Sequence, residues 1–384
     1  MDQFAPVPTT RRAIAVYGGL ALALGLVVWL ASNGCFGLFP GGRVETYFNG
    51  PGPFAGWMHW DGEWYRKIAV NGYFFSTHRQ SSVAFFPAYP ETLRFLGWVG
   101  GDPATWGVVV TGFSGAAVAA LFPQWCSRVG LAASATTALV VLLVWPYSWY
   151  LFGAVYADAL FIAASLAAFV LLESDRPIAS GLAGALATAT RPVGMAVVLG
   201  LAVRTVERRR ATGEPLRIRD AGALLSLGGL VAYAAYLGHR FHQPFAFEKA
   251  EGAPGWAQNP GPRVWFKEAF WHRLVHLPTS GTQYFASIAF QAVLAIALVA
   301  LVPLIIRRIG WGYGLYTLAV LGMPLLSSKD FQGLGRYALA AFPAFAVIGA
   351  ELHAHPRWRA AWVPLSAGVL VFLTAAYSRG AYLA

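Results

Sequence analysis

The run His59-Trp60-Asp61-Gly62-Glu63-Trp64-Tyr65-Arg66-Lys67 gathers carboxylates, cations and a histidine between aromatic rings, just after the first long apolar segment. A carboxylate held among aromatics and cations at a bilayer edge is suited to binding a charged or sugar-bearing substrate and taking a proton from it. Three further patches carry the same kinds of groups. Tyr156 and Asp158 open one apolar run, and Arg191 interrupts another beside Pro192. The third, Lys329-Asp330-Phe331-Gln332-Gly333-Leu334-Gly335-Arg336-Tyr337, sets two cations and a tyrosine at the end of a third run. A cation inside an apolar run is costly and by default functional, and the planar guanidinium fork of arginine matches phosphate. An aromatic belt with solvated charges would also account for the first cluster, and a helix N-terminus would by itself favour Asp158.

Other chemistries lack their signatures. The chain has no GxxxxGK[ST] phosphate loop, HExxH zinc pattern, CxxC pair or GxSxG elbow. Asp61-Gly62-Glu63 fits a DxE metal pattern only as a three-residue match, and His272 and His276 share a helix face without a nearby carboxylate, so no metal site is assigned.

The elements that must position these groups are membrane helices. The chain is 384 residues long, 57% hydrophobic and 12% charged, whereas soluble domains carry about 25% charged residues. Apolar runs recur at lengths near the ~20 residues that cross a bilayer. The reading is an all-α polytopic membrane protein of about eleven transmembrane helices, forming one integral membrane domain over residues 1–384. Its first outer loop, 32–104, carries short interfacial helices, and a second outer loop spans 238–283.

Arg11 and Arg12 place the N-terminus in the cytoplasm, and Ala13 to Ala31, longer than a signal-peptide core, reads as an uncleaved signal anchor. Further helices are expected near 105–125, 131–147, 157–172 and 221–237. Between the last two, Ile178 to Val203 is expected as two short helices meeting at Arg191, because Pro192 removes a hydrogen bond and disfavours helix at the residue before it. Three more crossings are expected to end at Arg307-Arg308, at Ser327 to Asp330, and at His353 to Arg359, with a last helix leaving the C-terminus outside. Arg208-Arg209-Arg210 is the strongest cytoplasmic signal. The net charge of +11 would suit nucleic acid in a soluble protein; here the arginines of the short loops orient the chain, and no nucleic-acid partner is expected. Cys35 and Cys126 fall on opposite faces and are not placed for a disulfide.

In this topology all four polar patches reach one side of the membrane. A carboxylate base, several cations and aromatic walls suit transfer of a sugar from a lipid phosphate. The base takes the acceptor hydroxyl proton and the cations stabilise the departing phosphate. A multispanning transporter or flippase of a lipid or sugar substrate is the rival reading, since broken helices and an intramembrane arginine also mark substrate pathways. A transporter site belongs near the midplane, whereas these groups gather at one face.

Several blocks follow, in order, the pattern of one family. Trp60-Asp61-Gly62 with Tyr65, Ile68-Ala69 and Gly72-Tyr73 comes first, then Phe86-Pro87-Ala88-Tyr89-Pro90 and Tyr156-Ala157-Asp158-Ala159-Leu160-Phe161. Thr190-Arg191-Pro192-Val193-Gly194, Gln243-Pro244-Phe245-Ala246-Phe247 and Gly335-Arg336-Tyr337 complete the series. In these blocks the chain resembles the PIG-V-like mannosyltransferases, multispanning glycosyltransferases of the GT-C type. The resemblance implies a GT-C-like fold and a polyprenyl-phosphate sugar donor, usually mannose. It also implies inverting transfer outside the cytoplasm, here to a lipid or glycan acceptor; the high Ala, Gly and Arg content suggests a bacterial plasma membrane. It places Asp61 at the catalytic carboxylate position. Asp158 stands where the family has Glu. Arg191 and Arg336 are the expected phosphate ligands, with Lys329 and Lys67 behind them. His59, Trp60 and Trp64 would shape the sugar pocket, and Glu63, Tyr156, Asp158 and Tyr337 complete the substrate-binding set. No cofactor beyond the lipid-linked donor is expected.

Overall fold

A computed structural model describes residues 8–35, 54–256, 258, 261–276 and 282–383, all helix and connecting segments with no strand among them. Parts of both outer loops, 36–53 and 277–281, lie outside the described residues.

The apolar runs become helices in the expected order. The first, α1 (Thr10–Ser32), is followed by two short helices of the first outer loop, α2 (Asp61–Asn71) and α3 (Ala88–Gly97), and then by α4 (Pro103–Arg128). The next four are α5 (Ala135–Leu143), α6 (Asp158–Glu173), α7 (Pro177–Thr188) and α8 (Met195–Thr212). A 3-10 segment, Ile218–Leu227, runs directly into α9 (Gly228–Phe241). The second outer loop holds α10 (Ala246–Glu251), α11 (Pro262–Trp265) and α12 (Glu268–Val275). The remaining helices are α13 (Thr282–Ala300), α14 (Val302–Ile309), α15 (Trp311–Ser327), α16 (Leu334–Leu339), α17 (Phe342–Ala354) and α18 (Pro356–Ser378).

Among the described residues five stretches are long and apolar enough to cross a bilayer: Thr10–Ser32, Pro103–Arg128, Ile218–Phe241, Tyr284–Ile309 and Pro356–Ser378. The chain is thus a multi-pass helical membrane protein. Other crossings expected from the sequence fall on shorter helices. At ~1.5 Å per residue, α5 and α7 reach about 14 and 18 Å against a ~30 Å hydrocarbon core. The segment expected as a helix over 131–147 is helical only to Leu143, because Pro146 cannot continue the ladder and disfavours helix before it. The stretch from Trp145 through Ala159 is a buried aromatic turn.

The core forms around α6, which is apolar on all sides and buried on nearly all of them, as expected of a central helix. It packs against α4 and α7, while α8 lies on α15, α5 on α17, and α1 on α4 and α18. Small residues set the closest approaches: a Cβ on Gly115 of α4 would collide with the Leu151 carbonyl of the buried turn. A smaller apolar cluster of Val83, Phe86, Tyr233, Leu237, Ala246 and Ala250 ties the second outer loop to the first.

Candidate functional site

Asp61 begins α2, where a carboxylate is favoured by the positive end of the helix. Trp60, just before it, has φ 57° and ψ −112°, outside the region ordinary side chains adopt, so the chain turns sharply into the helix. Trp60 therefore does not share a helix face with Trp64. Its indole N–H donates to the Ala381 carbonyl (3.3 Å) and its ring packs on Tyr382, whereas Trp64 stacks on Phe85. The helix is held from several directions. Arg66 grips Asp102 with Nε and Nη2 (3.0 and 2.6 Å), and Arg94 donates to the Ile68 and Ala69 carbonyls near the C-terminal end of α2. The Tyr156 hydroxyl accepts from the Asp61 backbone N–H (3.2 Å).

Three other elements bring charges to this point. Asp158 sits at the N-terminus of α6, Arg191 on the extended break between α7 and the turn Pro192–Gly194, and Arg336 on α16. Gly335 lets α16 lie against the Tyr147 ring, which a Cβ would strike. The result is an alternating chain of charges. Arg191 Nη1 donates to Asp158 Oδ1, Arg336 Nε stands 3.9 Å from Asp158 Oδ2, and Arg336 Nη1 donates to Asp61 Oδ2 at 2.7 Å. Arginine faces are covered by rings: Arg191 lies 4.3 Å over Tyr337, and Arg336 5.0 Å over Tyr156.

Exposure separates the members. The Asp158 side chain is 2% exposed, Arg191 7% and Arg336 11%, but Asp61 32%. Burial of such a set is tolerable because opposite charges alternate. Yet Asp158 Oδ2 and Arg336 Nε face each other beyond hydrogen-bond distance, and neither has a hydrogen-bond partner among the described residues.

Above the chain opens a cavity of about 330 Å3. Asp61, Arg191, Lys329, Arg336 and Tyr337 line it, so five of the residues expected from sequence converge there, with Tyr156 and Asp158 directly behind. Lys329 has no carboxylate within ion-pair distance among the described residues.

The other expected residues lie elsewhere. His59 is buried beside α18, its Nε2 3.3 Å from the Ser378 carbonyl and its ring edge-on to Tyr377. Burial pushes the imidazole down to about 4, the Ser378 carbonyl opposing, so the ring is neutral and structural. Glu63 and Lys67 pair with each other one turn apart on α2, and neither lines the cavity. Trp64 stands one layer back, supporting Phe85 and Trp256.

Residues outside the expected site set complete the walls: Tyr65 and Asp330, which lie within the marked runs, and Phe85, Glu251, Trp256, Gln258 and Tyr382. Tyr65 and Phe85 belong to aromatic runs visible in the sequence. Lys267 closes the rim from behind, its ammonium 2.5 Å from the Ser328 carbonyl; burial pushes it down to about 8, with Asp330 opposing.

No known family model matches the chain, and no curated protein matches it. Solved structures do. The oligosaccharyltransferase of Archaeoglobus fulgidus in its apo form is 13% identical, aligns over 94% of this chain and 56% of that one, and gives a TM-score of 0.50. The same archaeal protein, AglB, in complex with an inhibitory peptide and a dolichol-phosphate, aligns over 94% and 56% at a TM-score of 0.46. The chain therefore spans about half the length of these structures. The similarity is one of fold: the helices are arranged as in this archaeal oligosaccharyltransferase, within the all-helical, multispanning architecture the sequence led us to expect.

Proposed function

We propose that this protein is a GT-C glycosyltransferase that moves a sugar, mannose by its resemblance to the PIG-V-like enzymes, from a polyprenyl phosphate to a lipid or glycan acceptor. The observation that carries the reading is the convergence of Asp61, Arg191 and Arg336 from separate elements on one cavity, with Asp158 directly behind them. The GT-C fold supports it, and the arginines of the short loops support a site on the extracytoplasmic face of a plasma membrane.

The donor phosphate binds where guanidinium groups reach the cavity, at Arg336 and Arg191, with Lys329 at the rim. Phosphate competes with Asp61 for Arg336, because both are anions that bind the same fork. Once Arg336 turns to phosphate, Asp61 loses its partner and becomes a better proton acceptor. It is the most exposed member of the chain and takes the proton of the acceptor hydroxyl. The new oxygen–carbon bond forms on the face of the anomeric carbon opposite the phosphate, and the phosphate leaves with the bonding electrons onto the arginines. The configuration at that carbon inverts. Asp158 holds Arg191 in place.

The test is transfer of radiolabelled sugar from polyprenyl-phosphate mannose into a membrane lipid extract by purified protein in nanodiscs. Asp61→Asn is expected to lower turnover by ~10²–10⁴-fold, the range of a lost general base. A mutant as active as the parent removes Asp61 from the chemistry, and loss of activity with a chelator would bring a metal into it.

A further inference from the structure

The carboxylates lining the cavity are not alike. Asp61 accepts from Arg336, and Asp330 accepts from the Tyr284 hydroxyl (3.1 Å) and the Gln332 N–H (3.0 Å). Glu251 has no hydrogen-bond or ion-pair partner for its side chain among the described residues, although it is half-buried in the same wall. Its oxygens line the cavity with no donor from the protein, which leaves them free to accept from a ligand's hydroxyl.

Its position is well defined. Ala246 and Ala250 of α10 are buried against Val83 and Phe86 of the first outer loop, which turns Glu251 toward the cavity. The Gln258 N–H donates to the Glu251 carbonyl (3.0 Å), folding the following loop back on itself. That loop carries Trp256, whose ring meets Phe85 edge-on with centroids 5.8 Å apart. One wall thus presents an aromatic corner, a carboxylate awaiting a donor and the Gln258 amide; the other presents Arg191, Arg336 and Lys329.

We propose that Glu251, Trp256 and Phe85 form the recognition wall for the hexose of the lipid-linked donor: the sugar ring packs on the aromatic faces and a ring hydroxyl donates to the Glu251 carboxylate. This rests on the donor-transfer reading above and adds a subsite to it. Hydroxyl groups are donors a carboxylate can accept from without gaining a charge partner, and a pyranose offers both an apolar face and such hydroxyls. A sugar attached to a phosphate held by the arginines extends toward this wall.

The titration of Glu251 supplies a second readout. Burial, helped by Glu248 on the same helix, pushes it up to about 7, with Arg191 opposing across the cavity. Asp61, Arg336, Lys329 and Asp330 are the other charged groups on the cavity, while Tyr73 and Tyr233 stand among the rings against which α10 packs. A bound hydroxyl favours the ionised form, so hexosyl-ligand affinity should rise as pH rises through about 7 and then level off.

The experiment measures binding of two short-chain probes to the protein in nanodiscs: a prenyl phosphate, and the same prenyl phosphate carrying mannose. The mannosyl probe is a phosphodiester and does not titrate near neutrality, whereas a phosphate monoester has its second pKa near ~6. Glu251→Gln is expected to weaken the mannosyl probe by ~10–100-fold, the worth of a hydrogen bond to a charged group, and to remove its pH dependence. The plain prenyl phosphate should bind Glu251→Gln as it binds the parent. Trp256→Ala should weaken the mannosyl probe alone, and an unchanged unfolding midpoint in both variants shows that the fold is intact. If Glu251→Gln affects both probes equally, or neither, the sugar wall is overturned while the donor reading stands. If the parent protein binds neither probe, the donor reading falls and the wall with it.

Discussion

The two ends of the helical bundle each carry a network of arginines and carboxylates, and they are built differently. At the end that the arginine-rich short loops lead one to expect on the cytoplasmic side, Arg209 of α8 holds Asp220 with Nε and Nη2 (2.9 and 2.7 Å) and Glu214 with Nη1 (2.5 Å). Arg204 bonds Glu173 (2.7 Å), and Glu207 accepts the N–H groups of Trp311 and Gly312 at the start of α15. Those carboxylates have several donors each, and the cavity beside them is about 50 Å3. At the other end Asp61 and Asp158 each accept one arginine hydrogen bond, Asp158 Oδ2 and Arg336 Nε are left without hydrogen bonds among the described residues, and a cavity of about 330 Å3 opens above. A saturated network has nothing further to bind; it fastens helix ends. An under-saturated one beside a cavity keeps binding capacity for a ligand, and that is the property expected of a site rather than of a brace.

The comparison breaks most visibly at Asp158. Asp158→Ala leaves Arg191 buried without its carboxylate, and removal of one member of a buried pair costs about 3–5 kcal/mol. Thermal unfolding in detergent should show a large fall in midpoint, with transfer abolished. Asp220→Ala at the opposite end leaves Arg209 with Glu214 and Asp175, so it should reduce the midpoint far less and spare turnover. A midpoint equally depressed by both changes would mean that the two networks play the same structural role. The smallest effect is expected on α2 itself. Lys67→Ala removes an exposed pair with Glu63 that lies outside the cavity, and such pairs contribute only ~0.3–0.5 kcal/mol. Steady-state transfer should stay within about twofold of the parent, consistent with that magnitude.

Most of the helical order is legible in the sequence because apolar runs of bilayer length have few alternatives, and Arg191 and Asp158 stand out because charge inside such runs is expensive. Pro192 marks the break at Arg191, while the equally visible Pro146, which ends α5 early, sits in a run apolar enough to suggest a longer helix. The pairing of Asp61 with Arg336 spans 275 residues and follows from no local pattern. His59, Trp60 and Lys67 fall away from their expected places because a single positive φ at Trp60 rotates the run, so neighbours in sequence point to different parts of the molecule. Glu251 and Trp256 belong to a loop with neither period nor motif; only the packing of Ala246 and Ala250 on the first outer loop brings them to the cavity.

The central claim is that one network binds phosphate and the other does not. Titration of a short-chain prenyl phosphate onto the purified protein, compared with Arg336→Gln and Arg209→Gln, tests it directly. A charge-assisted bond is worth ~1.5–3 kcal/mol, so Arg336→Gln should weaken binding by ~10–100-fold, with Arg209→Gln indistinguishable from the parent. Equal loss in both variants, or undiminished binding by Arg336→Gln, would contradict the account.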